Sequence, residues 1–287
     1  MSTITALLVA FAALLGLIIG SFLNVVIYRV PVGIPLTRPS QCPHCDSPVK
    51  PWQNVPVVSW LLLRGKCANC GAPISVRYPL VELATGVAFA GVVWMLVESE
   101  AFRLASLAQR PEAGAEVGAL AFAFIAVAYL YLAAISIALT MIDLDMRRLP
   151  NPIVLPSYIA LAVLFTAACL AGAPWDALLR AAIGGAALFA FYWLLRFAKP
   201  GGMGGGDVKL AGVLGAALGF VGWGALIVGA FAAFLIGGVV GIVMMLTRRA
   251  TRKTAIPFGP FMVVGAWLGI VIGEPIARWY TGLLGLA

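Results

Sequence analysis

Gly201-Gly202-Met203-Gly204-Gly205-Gly206-Asp207-Val208-Lys209-Leu210 is a glycine-rich run that ends in a carboxylate and opens an apolar segment. Glycine lets the backbone turn sharply and lets another chain approach closely. A carboxylate at membrane depth is expensive and marks a functional candidate. One partner stands out, Asp143 in Met141-Ile142-Asp143-Leu144-Asp145, at the end of another apolar segment. Two carboxylates brought together at a membrane edge fit acid–base hydrolysis by an activated water, with no covalent intermediate. The structural alternative is an interhelical loop with an aspartate capping the following helix.

Composition sets the frame around this pair. The 287-residue chain is 62% hydrophobic and 10% charged, against roughly 25% charged in a soluble domain. That describes an all-α polytopic membrane protein. The net charge of +8 does not point to nucleic acid, because the cations sit in short loops between apolar runs, as the positive-inside rule requires. No nucleic-acid partner is expected, and membrane lipid is. The first apolar run lacks a basic start and a small-residue cleavage site, so it reads as a retained helix.

Eight spans are expected, at about 4–28, 79–97, 118–142, 152–172, 177–197, 207–222, 225–247 and 258–280. The sixth is short and interrupted by glycine. If the first loop is cytoplasmic, 15 of the 19 Lys and Arg residues face inward. The outward four are Arg103, Arg110, Arg180 and Arg278, and loop 98–117 is outward too. Both termini then face outside. Asp143 ends a span going inward and Asp207 begins one going outward, so both are expected at the cytoplasmic face. Gly16 and Gly20 form a GxxxG, and Gly184, Gly185, Gly212, Gly215 and Gly219 recur at near-helical spacing. Such positions allow close helix packing in lipid.

The expected organisation is a first transmembrane helix (1–28), a cytoplasmic zinc-binding segment (29–78), and a membrane catalytic domain (79–287). The middle segment holds Cys42-Pro43-His44-Cys45 and Cys67-Ala68-Asn69-Cys70, with 21 residues between the pairs. Each CxxC presents two thiolates, and two such knuckles complete a four-cysteine, zinc-ribbon-like site. Disulfides are the alternative, disfavoured on a reducing face. Four thiolates saturate the metal, so His44 is expected to be solvated and the zinc structural. With few apolar anchors expected, this loop should depend on its metal for order. The fifth cysteine, Cys169, reads as a small core residue.

The neighbours of the carboxylates divide by position. Asp145 lies two residues from Asp143 and so points elsewhere on a helix; it reads as solvated or paired with Arg148. Asp143 stands near a helix C-terminus and Asp207 at an N-terminus. The helix dipole therefore predicts that Asp143 holds a shared proton and Asp207 is ionised. Lys209 reads equally as a snorkelling lysine or a group near substrate. Glu82 needs a partner at its depth, and Arg77 is a candidate.

Taken together, these residues resemble the bacterial prepilin peptidases, membrane aspartic proteases of type IV pilus and type II secretion systems. The resemblance runs nearly end to end. It rests on Gly20-Ser21-Phe22-Leu23-Asn24-Val25-Val26-Ile27-Tyr28-Arg29, both CxxC pairs, and Ile74-Ser75-Val76-Arg77-Tyr78-Pro79 with Glu82. It continues through Asp143 with Leu149-Pro150, then Gly204-Gly205-Gly206-Asp207-Val208-Lys209-Leu210 and Pro257-Phe258-Gly259-Pro260-Phe261. The glycine–aspartate signature alone is less specific, since presenilin-like proteases share it. The resemblance implies Asp143 and Asp207 as catalytic residues, and prepilins or pseudopilins as substrates. Their short basic leader would be removed after a glycine, at the cytoplasmic face of the bacterial inner membrane. Members with the long zinc loop also N-methylate the new terminus with S-adenosylmethionine. No residues for that co-substrate can be placed. Asn151 departs from the family pattern, where many members carry aspartate. Two other readings differ in class. A transporter would place charge near the midplane within repeated halves, and an assembly platform would tolerate loss of either aspartate.

Overall fold

The computed structural model describes residues 2–98, 115–199, 202–248 and 256–285. Of the outward loop expected at 98–117, residues 99–114, with Arg103 and Arg110, lie outside the described residues, as do Arg249, Arg252 and Lys253. Nine α-helices are described: α1 (Thr3–Arg29), α2 (Val58–Leu62), α3 (Arg77–Glu98), α4 (Ala115–Met146), α5 (Asn151–Leu170), α6 (Trp175–Ala198), α7 (Gly205–Val221), α8 (Trp223–Leu246) and α9 (Gly259–Leu283). Seven of them, all but α2 and α7, are long and apolar enough to cross a membrane. The chain is a multi-pass, all-α membrane protein. The sixth expected span is α7, whose 17 residues reach about 26 Å at 1.5 Å per residue, short of the roughly 30 Å hydrocarbon core.

The chain forms two compact units, residues 1–97 with 130–141, and 98–129 with 142–287. In the first, α1 and α3 run antiparallel in backbone contact. A Cβ on Gly20 would lie 2.6 Å from the Glu82 Cα, and one on Gly16 would lie 2.8 Å from the Gly86 Cα. The GxxxG expectation holds because only a missing side chain permits that approach. Arg29, one of the cations counted as inward-facing, is buried. Its guanidinium donates to the carbonyls of Leu36 at 3.1 Å and of Arg38, and so wraps the chain leaving α1 towards the first knuckle. The knuckle loops are closed by antiparallel bridges, Gln41 with Pro48 and Lys66 with Pro73.

In the second unit α7 is the central element, with α5, α6, α8 and α9 around it. Its short length goes with burial on nearly every side. Small residues make this possible: a Cβ on Gly184 would lie 2.6 Å from the Gly215 carbonyl oxygen. The buried Tyr129 donates its hydroxyl to the Ala217 carbonyl at 2.7 Å. Phe165 stacks on Phe220 with centroids 4.1 Å apart. Cys169 is buried, as expected. Not every carboxylate in the unit is a site: Glu274 accepts the Ala225 N–H at 3.2 Å and caps the start of α8.

Candidate active site and metal centre

Asp143 sits in the last turn of α4, where its carbonyl accepts the Arg147 N–H at 2.8 Å. Arg147 turns the chain out of the helix with φ of 53°. Pro150 and Pro152 then start α5, since proline fits a helix N-terminus and not an interior. Between these ends only Leu149 turns inward and is buried. The carboxylate of Asp143 is itself buried, with the residue 4% exposed. Its Oδ2 accepts the N–H of Gly259, at 3.1 Å. Gly259 is the first residue of α9, so that N–H is a helix-end donor with no intrahelical partner.

Asp207 lies in the first turn of α7, half-buried. Its Oδ2 reaches back to the Gly204 N–H at 3.0 Å. Asp207 is thus not the N-cap expected as the structural alternative: Gly204 holds that position, and Asp207 caps from the third helical position, leaving its Oδ1 outside that hydrogen bond. Asp143 and Asp207 are close enough to act on each other electrostatically. The two backbone strands that carry them meet at Leu149. A Cβ on Gly206 would lie 2.8 Å from the Leu149 Cβ. A Cβ on Gly259 would lie 2.7 Å from the Asp143 Oδ2. Both positions therefore need glycine for close approach, one to seat the loop and the other to admit the carboxylate.

This geometry revises the dipole argument. A helix C-terminus stands behind Asp143, but the N-terminus of α9 faces it. Asp207 likewise meets an N-terminus, that of its own helix. Each carboxylate accepts one N–H from a helix start, so dipoles no longer separate the two.

The second cluster lies in the other unit. The Sγ atoms of Cys42, Cys45, Cys67 and Cys70 all lie within 4.8 Å of one another. Cys42 and Cys70 are 3.9 Å apart, Sγ to Sγ. Four thiolates at 2.3 Å from a tetrahedral zinc are about 3.8 Å apart, so this donor set fits a metal ion. His44 is exposed and outside the cluster, as expected. Hydrogen bonds from the Ser47 side chain and backbone, then from Asn69, pull the Cys45 thiol down to about 6. The Cys70 and Asn69 N–H groups lower Cys67. For Cys70, the Ala72 N–H lowers the thiol, but Cys45, burial and the other thiols outweigh it and push it up to about 11.

Comparison with known proteins now bears on both clusters. A family model described as the bacterial peptidase A24 N-terminal domain matches residues 14–96, which include the four cysteines. One described as the type IV leader peptidase family matches residues 130–242, which include both aspartates. The prepilin leader peptidase/N-methyltransferase of Stutzerimonas stutzeri is 35% identical, over 94% of this chain and 92% of its own. That of Neisseria gonorrhoeae is 37% identical over 98% of each. That of Pseudomonas aeruginosa is 34% identical over 95% and 93%. The chain belongs to the type IV leader peptidase family. No solved structure matches it.

Several residues around the leader peptidase family's glycine–aspartate loop escaped the sequence reading as site residues. Gly259 was visible only as part of a Pro-Phe-Gly-Pro-Phe string, although a glycine–proline pair opening an apolar helix is a signal for a free N–H. Tyr192 of α6 is buried, an electrostatic neighbour of Asp207, with its ring 6.2 Å from Phe258. Arg196, one turn further on, lays its guanidinium against Gly205. Lys209 donates its Nζ to the Asn151 Oδ1 at 2.9 Å, and its carbonyl accepts the Tyr158 hydroxyl. Lys209 thus ties α7 to α5. Asp145 is exposed. In the other unit Glu82 accepts the Val57 N–H at 2.7 Å, a partner that the sequence did not indicate.

Proposed function

We propose that this chain is a membrane aspartic endopeptidase, with Asp143 and Asp207 as its catalytic pair. Its substrates are type IV prepilins and type II secretion pseudopilins. The observation that carries the assignment is the convergence of two carboxylates, from the end of α4 and the start of α7, on a point where helix N-termini supply N–H donors. Two carboxyl groups that act on each other electrostatically favour one protonated and one ionised partner over two ionised ones. The ionised one takes a proton from water as its oxygen attacks the scissile carbonyl carbon. The protonated one gives its proton to the carbonyl oxygen, and a gem-diol forms. A proton then passes to the leaving nitrogen, the C–N bond breaks, and a carboxylic acid and a free amine remain. Gly259 and Gly204 hold one oxygen of each carboxylate, leaving the other oxygen to face substrate.

The leader is short and basic and the helix behind it apolar, so the scissile bond lies at a membrane boundary. We assign that boundary to the cytoplasmic side of the bacterial inner membrane, with both termini periplasmic. Residues 29–78 act as the zinc-binding segment and residues 79–287 as the membrane catalytic domain. Zinc held by Cys42, Cys45, Cys67 and Cys70 is structural, because four thiolates leave it no open position. The relatives' names include an N-methyltransferase. For this chain, that activity would transfer a methyl group from S-adenosylmethionine to the amine that cleavage releases.

The test is cleavage of a prepilin by the purified protein and by its Asp143→Asn and Asp207→Asn variants, with S-adenosylmethionine present and product masses measured. Both variants should lose cleavage with metal content intact. The wild-type product should gain the mass of one methyl group. Cleavage by both variants would refute the assignment, and an unmethylated product would remove the second activity alone. Cleavage should also fall in acid, where neither carboxylate is ionised.

A further inference from the structure

Between the cysteine knuckles, the 13 residues 51–63 carry no charge, while Lys50, Arg64 and Lys66 flank them. The segment does not stand off from the helices. The Ser21 hydroxyl donates to the Asn54 Oδ1 at 3.5 Å, and the Val57 N–H to the Glu82 Oε2 at 2.7 Å. Ser21 lies eight residues before the end of α1 and Glu82 five residues into α3. At 1.5 Å per residue these anchors are about 12 Å and 8 Å inside the helix ends. The polar zone on each side of a bilayer is only about 5–8 Å deep. With the helix ends at the bilayer surface, chain tethered at those points would lie below that zone.

The composition of the surface agrees. Trp52, Leu61 and Leu62 are 54%, 61% and 74% exposed, and Val55 and Val58 are exposed with them. Polar side chains in the segment are used internally. Gln53 Oε1 accepts the Lys50 N–H at 2.8 Å, Ser59 Oγ donates to the Val55 carbonyl at 2.8 Å, and Trp60 Nε1 donates to the Ile74 carbonyl at 3.1 Å. Many backbone groups are treated in the same way. Pro51 and Pro56 have no N–H, the N–H groups of Gln53, Val58, Ser59, Leu61 and Leu63 go to carbonyls within residues 50–59, and that of Val57 goes to Glu82. Pairing backbone groups internally lowers the cost of leaving water. Val57 holds φ of 61° to meet it, a costly conformation for a β-branched residue.

We propose that residues 51–63 are a re-entrant segment whose exposed apolar face contacts lipid. It would continue the lipid-facing surfaces of α1 and α3, with Lys50, Arg64 and Lys66 at the headgroups. Aromatic and basic residues of this kind are the usual anchors of interfacial segments. The inference rests on α1 and α3 crossing the bilayer and is independent of the catalytic assignment. It differs from the expected cytoplasmic segment with few apolar anchors.

The experiment uses the full-length, metal-loaded protein in vesicles of phosphatidylcholine and phosphatidylglycerol. A photoreactive benzoylphenylalanine replaces Leu62 in one preparation and the exposed Ala68 of the second knuckle in another. After illumination, lipid-adduct masses should be about fivefold or more enriched at position 62, as for a side chain below the headgroups. Equal adducts at the two positions would overturn the proposal. So would cross-links from position 62 mainly to protein, which would reassign the face to a polypeptide partner. A nitroxide amino acid at position 62 should favour oxygen over a water-soluble nickel relaxant, and the reverse preference would overturn it.

Discussion

The metal cluster and the aspartate pair are built in opposite ways. Each half of the cluster is a local loop, from 41 to 48 and from 66 to 73, closed by its own bridge. Its ligands sit three residues apart, and the metal would join the halves. The aspartate pair is 64 residues apart in sequence. It is joined by a third and a fourth element, the turn at Leu149 and the start of α9. The first site draws on local geometry and a ligand. The second draws on helix packing. They should therefore fail under different insults.

Metal removal should have the largest effect. Structural zinc contributes on the order of 10 kcal/mol to small four-ligand folds. Chelation should open residues 40–48 and 65–74 to proteolysis, while the second unit stays protected. Parallel loss of protection in both units would end the contrast. Chelation should also make Cys42, Cys45, Cys67 and Cys70 open to alkylation, and metal should protect them, as peptide mass mapping would show.

At the other site, Asp143→Asn or Asp207→Asn should lower prepilin cleavage by about 10³-fold, within the range of acid–base catalysis, with metal content unchanged. Gly259→Ala should cost about tenfold in kcat, because its Cβ would meet the Asp143 Oδ2 at 2.7 Å and displace the carboxylate. An unchanged rate would show that this N–H does not position Asp143. The smallest effect is expected for Asn151→Ala. It removes an exposed hydrogen bond to Lys209 and should change cleavage less than about threefold. A larger loss would place Lys209 in the site and not beside it.

How much was legible in advance follows the same division. The seven membrane-capable helices are written in apolar runs, which any window of the sequence reveals. Asp143 and Asp207 were singled out because charge is rare and costly in such runs. Their common face followed from counting spans and cations. The role of α7 was not legible: its glycines announce close packing, but only the structure shows it enclosed by four helices. Residues 51–63 looked like loop because prolines break their periodicity and no window of that length can span. Glu82 signalled a need for a partner without naming Val57.

The sequence by itself determined the membrane class, the four-thiolate cluster and the two aspartates. Each depends on residue type and short spacing, which a chain carries without folding. Only the tertiary structure decided that the α9 N-terminus holds Asp143 through Gly259, and that Leu149 seats the Gly206 turn. It also decided that the chain between the knuckles is pinned beside α1 and α3. Those contacts join residues between 25 and 116 positions apart. Their partners are chosen by which helices pack together, and no local pattern encodes that choice.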